Sequence, residues 1–171
     1  MSNIGKVVEL SPFQIKVVEL VVDEKNKDNE RYGAREMKRN TDMTSRETSL
    51  QGFGGEFAFG LIFNLAFDFS TEVKSCKMGT DWGDYKYKGL NVDVKTSRND
   101  WVFGVEPQKG EAVEIEYFAA MKGFFPLYEF RGFIHRNDVF QESNYKEPKD
   151  ENSKGYFQVK YTSLEDDIVC Y

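Results

Sequence analysis

The sequence predicts a single α/β domain in which a central mixed β-sheet is flanked by helices. Three observations lead there. Apolar residues recur at helical spacing in two segments of the first 66 residues, at 12–26 and 54–66. From residue 84 onward the pattern changes to the alternation and short apolar runs of strands. No Gly-, Ser- or Pro-rich linker divides the chain, and 171 residues suit one domain with its own core.

The elements follow in order. KVVEL occurs at 6–10 and again at 16–20, and one echo at ten residues is too little for a repeat architecture. Ser11 followed by Pro12 reads as an N-cap and first-turn proline. Ile15, Val18 and Val22 then give a helix over 12–26. Residues 23–50 are polar and mixed in charge, which predicts the helix end and then a long loop. A basic arm there (Arg31, Arg35, Lys38, Arg39) touching a phosphate backbone is the alternative to solvated surface. "GFGGEFAFGLIFNLAFDFS" (52–70) is the most apolar stretch, and glycines at its start predict a helix over 54–66. Glu56 is its lone charge before Asp68 and shares a face with Gly60 and Phe63. A carboxylate so placed requires a partner, a ligand or the rim of a cleft.

A hairpin is predicted over 84–97, followed by strands at 100–107, 111–121 and 124–136. A helical turn in "RNDVFQES", a hydrophilic loop over 144–154 and a last strand over 155–164 complete the chain. The resulting division is an N-terminal helical and loop part at 1–50, a core at 52–141, and a loop with a C-terminal strand at 142–171.

Composition narrows the function. Hydrophobic residues are 40% and charged residues 30%, a globular balance, and no apolar run is long enough to span a bilayer. The N-terminus lacks the order of a secretory signal. Cys76 and Cys170 have no metal or disulfide spacing, so the expectation is the cytoplasm. A net charge of −6 opposes a simple nucleic-acid binder but not an enzyme whose carboxylates hold metal ions. One histidine, His135, excludes HExxH zinc chemistry.

The chemistry concentrates in "GDYKYKGLNVDVKTS" (83–97). With Lys88-Gly89 at the tip, residue i pairs with 177 − i: Tyr87 with Leu90, Tyr85 with Val92, Asp84 with Asp93. A bulge would shift this register by one. One face then carries Tyr85, Tyr87, Leu90, Val92 and Val94, a core face; the other carries Asp84, Lys86, Asn91, Asp93 and Lys95. Opposed Cβ atoms lie roughly 4.5–5.5 Å apart, which forces two like charges together. A hard dication removes that repulsion. Lys95, roughly 6–7 Å further along the same face, reaches a phosphate or water without being a ligand. The alternative is a solvated strand face with three ordinary charges.

An acid, a hairpin and then "VDVKTS", with a Glu on an upstream helix, resembles the core motif of the PD-(D/E)XK nuclease superfamily, especially its small phage and bacterial members. The parts stand in order: Glu56 in "GGEFAF", Asp84 in "WGDY", Asp93 and Lys95 in "VDVK". Gly83 occupies the place where that motif often has proline. The resemblance covers about 52–97 and fits the later strands only loosely.

The resemblance implies a restriction-endonuclease-like core and Mg²⁺- or Mn²⁺-dependent hydrolysis of DNA to a 5′-phosphate and a 3′-hydroxyl. In it Asp84, Asp93, the Val94 carbonyl and Glu56 hold the metal, and Lys95 positions the attacking water or offsets charge on phosphorus. A bacterial or phage-infected cell is the implied setting, with DNA as partner, no membrane, and a homodimer an open arrangement. The rival class is a non-catalytic nuclease-like scaffold binding nucleic acid or a host protein, and a third reading is an RNA nuclease.

Other residues rank lower. Asp81 competes with Asp84, but the register favours Asp84. Thr96, Ser97 and Arg98 read as a polar strand end before phosphate contacts. Glu116 falls on the exposed face of an alternating strand, with a supporting role at the site as the alternative. Trp82 and Trp101 are the best base-stacking candidates among aromatics that otherwise read as core. "GFGG" lacks the Lys-Ser/Thr of a phosphate loop.

Overall fold

The computed structural model describes residues 2–31, 42–67, 69, 83–112, 114–148 and 155–168. The basic positions Arg35, Lys38 and Arg39, both cysteines, Asp68, Asp81 and Trp82 lie outside them.

Helix α1 spans Pro12–Arg31, somewhat longer than the periodicity predicts. Its start is tied as expected: the Ser11 N–H donates to Gln14 Oε1 at 2.8 Å, and the Gln14 N–H returns to Ser11 Oγ. Helix α2 spans Ser45–Phe63, so it begins nine residues before the expected 54 and takes over the end of the expected loop. The reason is a capping box. The Thr44 N–H donates to Glu47 Oε2 at 2.7 Å while the Glu47 N–H donates to Thr44 Oγ1 at 3.2 Å. Arg46 then clamps α2 to α1 through Asp23 at 2.7 Å.

Gly52 therefore lies inside the helix rather than before it, and Gly54 and Gly55 lie in its middle rather than at its start. Two of them, with Gly60, let α2 descend onto the sheet. A Cβ on Gly54 would lie 2.2 Å from the Tyr128 hydroxyl, on Gly55 1.9 Å from Thr96 Oγ1, and on Gly60 2.5 Å from the Tyr85 hydroxyl. Asn64 closes the helix in a left-handed conformation at φ 53°, three residues short of the expected end at 66.

The sheet uses β1 (Val7–Glu9), β2 (Tyr85–Tyr87), β3 (Leu90–Ser97), β5 (Tyr117–Phe124) and β6 (Leu127–His135) in the order β1-β6-β5-β3-β2. Every pair is antiparallel except β3 with β5, which makes the sheet mixed. A parallel pair needs a crossover, and here it runs through β4 (Val102–Val105) and a 3₁₀ turn at Pro107–Gly110. The expected strand at 100–107 thus does form in part, but in a second, three-stranded sheet with β8 (Tyr156–Lys160) and β7 (Tyr145–Lys146). The short helix α3, Arg136–Val139, follows β6 with His135 as its N-cap.

The strand expected over 111–121 starts only at Tyr117. Ahead of it the chain turns, because the Glu116 N–H donates to the Asn91 carbonyl and Glu116 Oε2 accepts the Asn91 N–H, both at 3.0 Å. Glu116 is accordingly a half-buried clasp at the start of β3, not part of an exposed face.

Two cores result, one on each face of the sheet. Val18, Val22, Phe59, Val92, Val94, Met121, Phe130 and Phe133 pack beneath α1 and α2. Phe103, Val105, Ile115, Phe118, Ala120, Ile134 and Val159 pack beneath the small sheet and α3. The phenylalanines and tyrosines are thereby mostly explained by packing; Phe59 alone is within ring-contact range of Phe63, Tyr85, Phe130 and Phe133.

Glycine packing at the α2–sheet interface sets opposite expectations for two neighbouring positions. Gly55→Ala should cost about 1–3 kcal/mol in urea denaturation despite alanine's better helix propensity, because the methyl meets Thr96. Gly52→Ala has no atom within 4 Å of the new methyl and should gain about 0.5–1 kcal/mol. Equal effects at the two sites would refute the close-approach account.

Candidate active site

Strand β3 carries the centre of the site. Its parallel register sets Asp93 beside Phe118 and Lys95 beside Ala120, so both point to the face covered by the small sheet. Val92 and Val94 point to the helix face. Asp93 is only 1% exposed. A carboxylate that deep needs cations, and two supply them: Lys95 Nζ pairs with Oδ2, and Lys109 Nζ donates to Oδ1 at 2.7 Å.

Lys109 is a component that sequence reasoning did not find. It sits 16 positions downstream in the 3₁₀ turn of the crossover, and no periodicity links it to β3. Only the folded path of the chain between two parallel strands brings it to Asp93.

The hairpin register is as expected for Tyr87 with Leu90 and Tyr85 with Val92. The strand ladder stops there, one pair short of Asp84 with Asp93. Asp84 departs because its N–H donates to the Val92 carbonyl at 2.9 Å while its Oδ2 accepts the Val94 N–H at 2.6 Å. Its carboxylate therefore bends onto the backbone of β3. Gly83 permits this with φ +76°; a Cβ there would stand 2.7 Å from the Val92 carbonyl oxygen. Proline, locked near φ −65°, cannot take that conformation, which accounts for glycine before the first acid.

Glu56 arrives from α2, one residue after the Gly55 contact with Thr96, and its carbonyl accepts the Tyr85 hydroxyl at 2.8 Å. Helix, hairpin and β3 thus meet at one point. Burial, and then the neighbouring charge of Asp84, push the Glu56 carboxyl well above the usual range; Lys25 and Lys95 oppose the shift. Burial, and then the charge of Asp93, raise Asp84 to about 6, against the pull of Lys95, the Val94 N–H and Lys109. All four expected side chains therefore share one electrostatic neighbourhood. Val94 joins through its N–H.

The donor set is one of hard carboxylate oxygens, and mutual charge disfavours ionisation of two of the acids. Chemically that fits a divalent cation, which would reverse the disfavour. Among the described residues no three His, Cys, Asp or Glu side chains already form a metal-holding group. Both Asp93 oxygens face ammonium groups, so an ion would need at least one of them to move.

The lower-ranked candidates separate cleanly. Thr96 packs against Gly55. The Ser97 hydroxyl donates to the Val102 carbonyl at 3.0 Å and accepts the Asn99 N–H, a capped strand end. Trp101 stands 76% exposed on the following turn, where Asn99 Oδ1 accepts its N–H at 2.8 Å. His135 Nδ1 accepts the Asn137 N–H and so caps α3. No protein-family model matches the chain, and no curated protein matches it in sequence.

The raised Asp84 carboxyl has a signed consequence. Below about pH 4 folded and unfolded chains both keep this proton, and the group contributes nothing. Between about 4 and 6 the unfolded chain releases it while the folded chain holds it, so stability falls as pH rises. Asp84→Asn keeps the acceptor for Val94 but cannot ionise. Without divalent ions, its stability relative to the parent should climb between pH 4 and 7 by about 1–3 kcal/mol, read from urea midpoints. A difference that stays flat over that range refutes the charge cluster.

Proposed function

We propose that the chain is a metal-dependent nuclease that hydrolyses DNA phosphodiester bonds, built on a restriction-endonuclease-like core of the PD-(D/E)XK type. The observation that supports it most is convergence. Asp84 at the foot of β2 and Asp93 with Lys95 on β3 all act on the Glu56 carboxyl of α2, although the sequence spreads the four over forty positions.

In this reading Glu56, Asp84, Asp93 and the Val94 carbonyl hold one or two Mg²⁺ or Mn²⁺ ions. A bound ion supplies Lewis acidity, a more acidic water and compensation for charge on the phosphoryl group. The chain's own residues do the rest. The Val94 N–H fixes the Asp84 carboxylate in one rotamer. The Tyr85 hydroxyl ties the Glu56 backbone to the hairpin that follows Asp84. Lys95, 21% exposed at its side chain, reaches from the buried acid toward solvent. There it orients the attacking water or meets the negative charge that grows on phosphorus.

A second reading, a non-catalytic scaffold on the same frame that binds nucleic acid or a host protein, is favoured by one observation: two lysines already neutralise Asp93. The chain's net charge of −6 points the same way. Among the described residues no helix is long and apolar enough to cross a membrane. A cytoplasmic setting in a bacterial or phage-infected cell belongs to the proposal.

A cleavage panel separates the readings: linear, nicked, branched and single-stranded DNA, and RNA, each with Mg²⁺ and with Mn²⁺. The nuclease reading expects cutting of at least one DNA form, and a loss of about 100-fold or more with Lys95→Ala. RNA as the sole substrate moves the site to ribonuclease chemistry. Mn²⁺ at about 100 times its dissociation constant should add about 2.7 kcal/mol of stability, removed by Asp93→Asn. No cleavage of any form, or Lys95→Ala as active as the parent, sinks the enzyme.

A further inference from the structure

Asp93 carries an ammonium on each of its oxygens, and both cations also act on Asp84. They differ in how they arrive. Lys95 lies two residues along the same strand and shares its face with Asp93. Lys109 comes from the crossover, whose backbone is pinned independently. The Arg136 guanidinium donates to the Gly110 carbonyl at 2.7 Å, and the Lys109 N–H donates to the Glu106 carbonyl at 3.0 Å. Ala112 is buried one turn on. The anchors hold the turn without the Lys109 ammonium.

Redundancy has a physical consequence. Stripping a buried carboxylate of its only partner costs several kcal/mol, which would oppose any exchange. With two partners, one can leave while the other keeps the charge compensated. The exchangeable one is Lys109, since its turn is held by other contacts, whereas Lys95 is fixed on the same strand as Asp93. Exposure does not separate them, at 22% and 21%.

Resting on the proposed metal site, we infer that Lys109 is a resident counter-ion. It occupies Asp93 Oδ1 while no divalent cation is bound and gives up that oxygen when one binds. Lys109 therefore weakens metal affinity by competition. Once displaced, its ammonium stays in the pocket, where an anionic phosphate would be its next partner. It is a positioning residue that sets when the site is charged with metal.

Calorimetric titration of the full chain with Mn²⁺ alone tests this without any turnover. Lys109→Met keeps the aliphatic stem and removes the competitor, and should bind Mn²⁺ roughly 10-fold tighter than the parent. Lys109→Gln, shorter and neutral, should follow it and covers the case in which the methionine variant fails to fold. Lys109→Arg should remain near the parent. Lys25→Met calibrates the general effect of losing a nearby positive charge, because the Lys25 ammonium sits over the Phe53 ring at 3.8 Å. The gain at Lys109 has to exceed it. Equal or weaker binding by both neutral Lys109 variants, with the parent still binding, overturns this inference alone. No binding by any of them overturns it together with the metal site.

Discussion

Burial of the Asp93 carboxylate is the constraint around which the rest of the site is organised. A charge that is 1% exposed cannot be left to solvent, so the fold must carry cations to it. One is local, placed by strand alternation. The other depends on the crossover between parallel β3 and β5. The chain could have joined these strands by a helix. It instead lays a small sheet and a 3₁₀ turn across the face to which Asp93 points, and that route delivers Lys109.

The opposite face answers to a different rule. There α2 lies close against the strands because Gly54, Gly55 and Gly60 offer no Cβ to Tyr128, Thr96 and Tyr85. This proximity serves stability and chemistry together. It buries Phe59 among four aromatic rings, and it holds Glu56 near Asp84, whose charge makes Glu56 harder to ionise. Burial and like charge make such a cluster costly at neutral pH, and Lys25, Lys95 and Lys109 offset part of that cost. Gly83 adds a second local oddity, a positive φ that turns Asp84 off the ladder and onto the Val94 N–H.

Much of the site was legible because it depends on short-range geometry. Hairpin pairing follows from the turn position and the two-residue period, and Tyr85, Tyr87, Leu90, Val92 and Val94 face the helices as the pattern requires. The start of α2 was also legible in principle, since T-S-R-E at 44–47 is a capping box. The polar composition around it and the glycines after it masked the signal. Those glycines read as punctuation at the start of a helix, whereas tertiary packing uses Gly54 and Gly55 as part of the helix's contact surface. The end of the pairing at Asp84 was out of reach, because one positive φ at Gly83 redirected the chain.

KVVEL marks the boundary between the two kinds of information. Its first copy contains β1, Val7–Glu9, and its second lies within α1, Pro12–Arg31. The strand copy buries Leu10 and pairs with β6; the helical copy buries Val18 with Val22 one turn on. Five residues do not choose between these states. The Ser11-Pro12 start chooses for one and the open edge of β6 for the other. By itself the sequence determined the α/β class and the hairpin, both of which rest on periodicities of a few residues. Only the tertiary structure decided that Asp93 is buried between two lysines and that the second comes from the crossover. A charge acquires its partners from whatever the folded chain brings within a few ångströms, and no local pattern encodes that.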